Sequence, residues 1–169
     1  LNSVGYPEFK NDMPIFGVDL LWFGVKKQLV AILDFQPLIQ NDIYFNQYFE
    51  SLKNLKRSCP EFSNENNMRA YDSGQFFSPC VIFCRGDKNH ADNLLPSIFS
   101  KFTDLYFDLH KESFDLDNIL TLDEVRRCHC SYDVYNSERD PAHGLFKSYF
   151  GKEWSNRFLN EFLFPLRIS

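Results

Sequence analysis

Residues 13–38, MPIFGVDLLWFGVKKQLVAILDFQPL, place two acids, Asp19 and Asp34, inside runs that otherwise have the composition of buried β-strands. The pattern predicts a hairpin with strands over residues 13–23 and 29–36. Burying an ionised carboxylate is costly, so such a group is usually paired, hydrogen-bonded or kept neutral. The reason for these acids is therefore the central question that the sequence raises.

The first strand of this hairpin has two mostly apolar faces, which predicts a central strand covered on both sides. The two-residue period of a strand puts Gly17 and Asp19 on the same face. Because glycine has no side chain, we expect room on that face for a flat group to approach the carboxylate.

The rest of the chain alternates between helical and extended patterns, without internal repeats or low-complexity linkers. Thr121 and Glu124 form the pattern of a capping box at the start of a helix. The other predicted elements are a helix over 42–58, a strand over 76–85, a long helix after GDKNHADN (86–93) and two short helices within 139–151 and 152–164. The pattern predicts one domain over residues 1–169, a sheet with helices against both faces.

Composition excludes several classes of protein. The net charge of −5 argues against a nucleic-acid binder, and no apolar run is long enough to span a membrane. The five cysteines lack the spacing of a disulfide framework, which favours a reducing compartment, the cytoplasm or a plastid stroma. The chain opens on LNSVGYPEF without Met, so we expect an upstream portion to be missing.

Neither Cys80 with Cys84 nor the run Cys128-His129-Cys130 has the spacing of a structural zinc site, so ordinary buried thiols are expected. The sequence also lacks the GxSxG, GxGxxG and Walker motifs, so no dedicated cofactor is predicted.

The carboxylates remain as candidates for chemistry. Asp34 is expected to bond a neighbouring backbone amide or Gln36. Asp140 precedes Pro141, a pattern typical of the start of a helix, so the pattern favours capping over catalysis. Asp19 has no capping role, and the residues alone leave it open between a structural acid and a site residue.

Four stretches of the chain together resemble the ferredoxin-dependent bilin reductases. They are FGVDLLWFG (16–24), LVAILDFQPL (29–38), FFSP (76–79) and YNSERDPAHGLFKSYFGKEWSNRFLNEFLFP (135–165). The resemblance covers nearly the whole chain, and the C-terminal stretch is highly specific. It implies that the N-terminal third of the family domain is absent. Within the family the likeness is greatest to the members that make 15,16-dihydrobiliverdin.

The resemblance implies a three-layer α/β/α sandwich with a central, mainly antiparallel sheet, and a bilin between the sheet and the C-terminal helices. No bound cofactor is implied; reduced ferredoxin supplies single electrons, and the protein supplies protons to bilin radicals. Asp19 and Asp140 match catalytic aspartates. Asn2 stands where phycocyanobilin-forming relatives carry a catalytic His, which argues against that product. Arg69 is our candidate for binding the bilin propionates.

The implied reaction is the reduction of biliverdin IXα to 15,16-dihydrobiliverdin in phycoerythrobilin biosynthesis. The alternatives are a four-electron phycoerythrobilin synthase, a relative that reduces dihydrobiliverdin, and a non-catalytic bilin carrier. Ferredoxin and the next bilin reductase of the pathway are the expected protein partners of a monomer. Ferredoxin is generally acidic, which makes five basic residues candidates for its docking. They are Lys26, Lys27, Lys53, Lys56 and Arg57.

Overall fold

A computed structural model describes residues 1–63, 75–140 and 142–168. These residues form two compact units, Leu1–Leu120 and Thr121–Ser169. The first contains a β-sheet and helices, and the second is helical. No helix in the described part of the chain is both long and apolar enough to cross a membrane.

The first unit is built on a four-stranded antiparallel sheet in the order β1-β2-β3-β4. Its strands are β1 (Asn2–Gly5), β2 (Ile15–Phe23), β3 (Gln28–Gln36) and β4 (Ile82–Gly86). The sheet and its helices confirm the predicted α/β class and its antiparallel strand pairing.

The predicted hairpin is β2 and β3, with bounds within two residues of those expected. Its turn is closed by the Lys27 backbone N–H, which donates to the Gly24 carbonyl at 3.2 Å. Lys27 adopts a left-handed φ of 48° to complete the turn. As predicted, β2 lies between two other strands, but its last three side chains, from Leu21 to Phe23, are 41–45% exposed. The predicted cover on both faces therefore holds for the first half of the strand alone.

One face of the sheet packs against helices through aromatic side chains. The ring centroid of Phe102 on the helical side lies 5.0 Å from that of Phe35 in β3 and 5.2 Å from that of Phe16 in β2. Tyr106 lies 4.9 Å from Phe16. Such tilted pairs combine apolar burial with favourable ring electrostatics. The helices of this unit are α1 (Asp42–Tyr48), α2 (Glu50–Ser58) and α3 (Leu95–Glu112), with short helical turns at Pro60–Phe62, His90–Leu94 and Ser113–Asp115.

The helix predicted over residues 42–58 is wrong in one respect, because the chain breaks it at Phe49. There φ is −117° and ψ is 0°, outside regular helix geometry, so α1 ends and α2 begins. The apolar stripe predicted along both helices is confirmed, since its four members are buried. They are Tyr44, Tyr48, Leu52 and Leu55.

The strand predicted over residues 76–85 is also shorter than expected, because it begins at Ile82. The preceding backbone instead turns so that the Ser78 N–H reaches the Asp34 carboxylate at 2.7 Å. Pro79 cannot donate a ladder hydrogen bond, which further disfavours a strand there.

The second unit consists of α4 (Leu122–Arg139), α5 (Ala142–Phe150) and α6 (Lys152–Arg157), followed by helical turns at Phe158–Leu163 and Pro165–Ile168. The capping box predicted at Thr121 and Glu124 is present. The buried Asp133 carboxylate accepts from the Leu166 N–H at 2.7 Å, which fixes the last turn against α4.

Candidate active site

The sheet face opposite α1–α3 carries Asp19 in a cross-strand row. The register pairs Asp19 with Asn2 of β1 on one side and with Ile32 of β3 on the other, and Ile32 with Phe83 of β4. Directly paired residues project from the same face of a sheet, so Asn2 and Asp19 are neighbours. Asp19 is half-buried, and Asn2 is exposed.

The wall beside Asp19 is apolar. Ile32 and Phe83 form a buried cluster with Phe77 and Val81, and Val30 packs against it. This face of the sheet therefore offers an acid at the border of an apolar surface.

The room predicted next to Asp19 at Gly17 is occupied. A Cβ built on Gly17 would lie 2.8 Å from Cδ of Gln36, closer than real Cβ contacts allow. The side chain of Gln36 reaches diagonally across the sheet, because its Cα pairs with Ile15. The missing side chain of Gly17 makes room for the carboxamide of Gln36, which corrects our expectation of open space for a ligand.

Asp34 lies in the neighbouring row, paired with Gly17, and it is fully buried. Its Oδ2 accepts from the Ser78 N–H at 2.7 Å, and its Oδ1 lies 2.5 Å from the Ser78 hydroxyl. Burial raises the pKa of Asp34 to about 8, although the hydrogen bonds from Ser78 oppose the rise. The predicted backbone-amide partner is thus present, but it lies 44 residues away, and Gln36 is not among the partners that engage the two oxygens.

Asp140 follows α4 and is half-buried in the second unit. Its backbone carbonyl accepts from the His143 N–H at 3.1 Å, at the start of α5. Nε2 of His143 in turn lies 3.0 Å from Oδ1 of Asn156, which joins α5 to α6. Asp140 therefore belongs to the second unit, whereas Asp19 and Asn2 belong to the first. Arg69 lies outside the described residues.

The five basic candidates fall on two separate elements of the first unit. Lys26 and Lys27 are exposed in the β2–β3 turn. The other three line a groove of about 470 Å³ beside α2, where Phe45 and Phe49 supply apolar walls. They are Lys53, Lys56 and Arg57.

Charges in the α2 groove are partly engaged by other groups. Nζ of Lys53 lies 3.4 Å from the Glu50 carboxylate, and Nζ of Lys56 donates to the Pro79 carbonyl at 3.2 Å. Asp42 also lines the groove. The turn, by contrast, presents two adjacent exposed lysines.

Within the described ranges, no three His, Cys, Asp or Glu side chains are grouped closely enough to hold a metal ion. His129, which follows Cys128 in the sequence, is fully buried on α4. Burial lowers the pKa of His129 to about 4 and so keeps its ring neutral at pH 7.

Residues 1–165 match the family model described as ferredoxin-dependent bilin reductase. The chain belongs to this family. It is 51% identical over 168 residues to the 15,16-dihydrobiliverdin:ferredoxin oxidoreductase of Prochlorococcus marinus (strain MIT 9211), covering 99% of this chain and 71% of the relative. It is 52% identical to the enzyme of that name from Synechococcus sp. (strain CC9902), covering 98% of this chain and 70% of the relative.

The fold is shared with a solved structure, phytochromobilin synthase from tomato in complex with biliverdin. The TM-score is 0.80 at 22% identity, and the match covers 98% of this chain and 59% of the tomato protein. The chain thus spans about seven tenths of the length of the two curated relatives and less of the tomato protein. The predicted membership of an oxidoreductase family, and of this family in particular, is confirmed.

Proposed function

We propose that this bilin reductase uses electrons from reduced ferredoxin to convert biliverdin IXα into 15,16-dihydrobiliverdin. The names of relatives about 50% identical over almost the whole chain support this reaction. Two electrons, delivered singly, and two protons add across one carbon–carbon double bond of the bilin.

The observation that carries the proposal is the position of Asp19, half-buried beside an apolar wall with an amide as its cross-strand neighbour. A bilin that has accepted an electron is more basic, and a nearby acid can then protonate it. Asn2 does not titrate, so in this row Asp19 is the group that supplies a proton. A bilin lying over Asp19 would exclude water and favour the neutral acid.

The direct test is an anaerobic reaction of the protein with biliverdin IXα and reduced ferredoxin, followed by absorption and by separation of products. We expect the biliverdin spectrum to be replaced by that of 15,16-dihydrobiliverdin. Bound biliverdin that stays unreduced would indicate a carrier. Phycoerythrobilin as the product would indicate the four-electron alternative.

Asp140 is our candidate for the second proton, and Asp140→Asn separates this role from helix capping. Asn caps helices about as well as Asp, so the variant should fold normally. We expect biliverdin binding to survive and turnover to fall by about tenfold, less than the full range for a lost general acid. Thermal unfolding, pigment titration and turnover together measure this, and normal turnover would assign Asp140 to capping alone.

The Lys26 and Lys27 turn is our first candidate for ferredoxin docking. Electrostatic steering weakens as the Debye length falls, from roughly 20 Å at about 0.02 M salt to below 10 Å at about 0.3 M. We expect turnover at limiting ferredoxin to fall at least about tenfold over this range. Reversing both charges in Lys26→Glu/Lys27→Glu should reproduce that loss at low salt.

The matched control reverses two charges in the α2 groove, Lys53→Glu/Arg57→Glu. Because Lys53 is already near Glu50, we expect a smaller effect from this pair. Turnover that responds to the groove variant and not to the turn variant would transfer docking to α2. If turnover changed neither with salt nor in either variant, neither the turn nor the α2 groove would be the docking surface for ferredoxin.

A further inference from the structure

Gln36 is a buried polar residue at the end of β3, with 6% of its surface exposed. Gln36 pairs with Ile15, and Asp34 pairs with Gly17. Ile15, Gly17 and Asp19 are two residues apart along β2 and share one face of the sheet, so Gln36, Asp34 and Asp19 lie on that same face. The carboxamide of Gln36 lies over Gly17, where a built Cβ would be 3.0 Å from Oε1 and 3.1 Å from Nε2.

Oε1 of Gln36 is buried and accepts no hydrogen bond from any residue within 1–63, 75–140 and 142–168. The nearest carboxyl group by register, that of Asp34, has both oxygens engaged by Ser78. An unsatisfied buried acceptor costs stability, which an apolar side chain of the same length would avoid. This oxygen therefore suits a donor that arrives with a ligand.

Gly17, which the carboxamide covers, is two residues before Asp19 on the same face. That spacing along a strand corresponds to about 7 Å. The apolar cluster around Ile32 borders the same area. A flat molecule lying over Asp19 along this face would bring its neighbouring polar atoms to Gln36.

We propose that Oε1 of Gln36 accepts a hydrogen bond from a pyrrole or lactam N–H of the bilin, and so sets which part of the pigment lies over Asp19. This inference rests on the proposed bilin reduction. An N–H donor matches Oε1, because a ligand carbonyl or propionate at that atom would place an acceptor against an acceptor. Gln36 is then a substrate-binding residue that controls the position of protonation.

The decisive variant is Gln36→Met, which keeps the length of the side chain and removes the acceptor. Biliverdin IXα is titrated into the protein without ferredoxin, and thermal unfolding is measured without pigment. We expect the Kd for biliverdin to rise about tenfold, the value of one net hydrogen bond. The absorption maximum of the bound pigment should shift, and the pigment-free protein should unfold at an equal or higher temperature.

Gly17→Ala provides an independent route to the same contact, since its Cβ would displace the carboxamide of Gln36. In the wild-type background it should weaken biliverdin binding, and in the Gln36→Met background it should add little. An unchanged Kd and pigment spectrum in Gln36→Met, with a lowered unfolding temperature, would overturn the role of Gln36 and leave bilin reduction standing. Failure of the wild-type chain to bind biliverdin would overturn both.

Discussion

Asp19→Asn is expected to bind biliverdin and accept an electron from ferredoxin, and then to stall before forming product. The amide has nearly the size of the carboxyl group but cannot act as the acid. The apolar wall of Ile32 and Phe83 that flanks the site is unchanged. General acid catalysis contributes about 10²–10⁴ in rate, so we expect product formation to fall by that factor.

The measurement is an anaerobic time course followed by absorption and electron paramagnetic resonance. We expect a long-lived paramagnetic bilin species and little 15,16-dihydrobiliverdin. Asp123→Asn is a matched control, because it makes the same chemical change at an exposed acid in the first turn of α4. Near-normal product formation by folded Asp19→Asn would assign the proton to another group and make Asp19 a structural acid.

Asp34→Asn is expected to remove a contribution to stability that falls as pH rises. With its pKa raised to about 8, Asp34 stays protonated in the folded chain between about pH 4 and 8, where the unfolded chain has lost this proton. The folded state then binds one proton more than the unfolded state, so its stability falls as pH rises through this window. The contribution is about 1.4 kcal/mol per pH unit for one proton.

Asn can replace the protonated acid at this position. Its carbonyl oxygen can accept from the Ser78 N–H, and its amide can donate to the Ser78 hydroxyl oxygen. Urea unfolding of the pigment-free wild type and Asp34→Asn at about pH 5, 6.5 and 8 gives the two slopes. We expect the variant to gain stability relative to wild type at each step upward in pH.

Ser78→Ala is the companion variant for the Asp34 experiment. It removes the hydroxyl that lies 2.5 Å from Oδ1 and accepts from the Cys80 N–H at 3.0 Å. We expect this variant to lose stability throughout the pH range. Its slope should match that of wild type well below the Asp34 pKa and be steeper near pH 8, because loss of the hydroxyl raises the pKa of Asp34 further. Parallel curves for wild type and Asp34→Asn would show that Asp34 is ionised in the folded chain.

Local backbone geometry explains what could be predicted from the sequence. The alternation of β2 placed Gly17 and Asp19 on one face, and the pattern of Thr121 and Glu124 located the start of α4. These features depend on residues a few positions apart, whose relative directions are fixed by a strand or a helix. The resemblance of the motif around Asp19 to a family added the expected chemistry.

Contacts between distant residues were decided by the tertiary structure alone. Ser78 reaches Asp34 across 44 residues, and the backbone around it turns where the sequence pattern had predicted the start of a longer strand. Gln36 fills the place over Gly17 because the β2–β3 register sets it diagonally opposite. Strand register and loop closure depend on how the whole sheet packs, so periodicity shows which face carries an acid but not which side chain meets it.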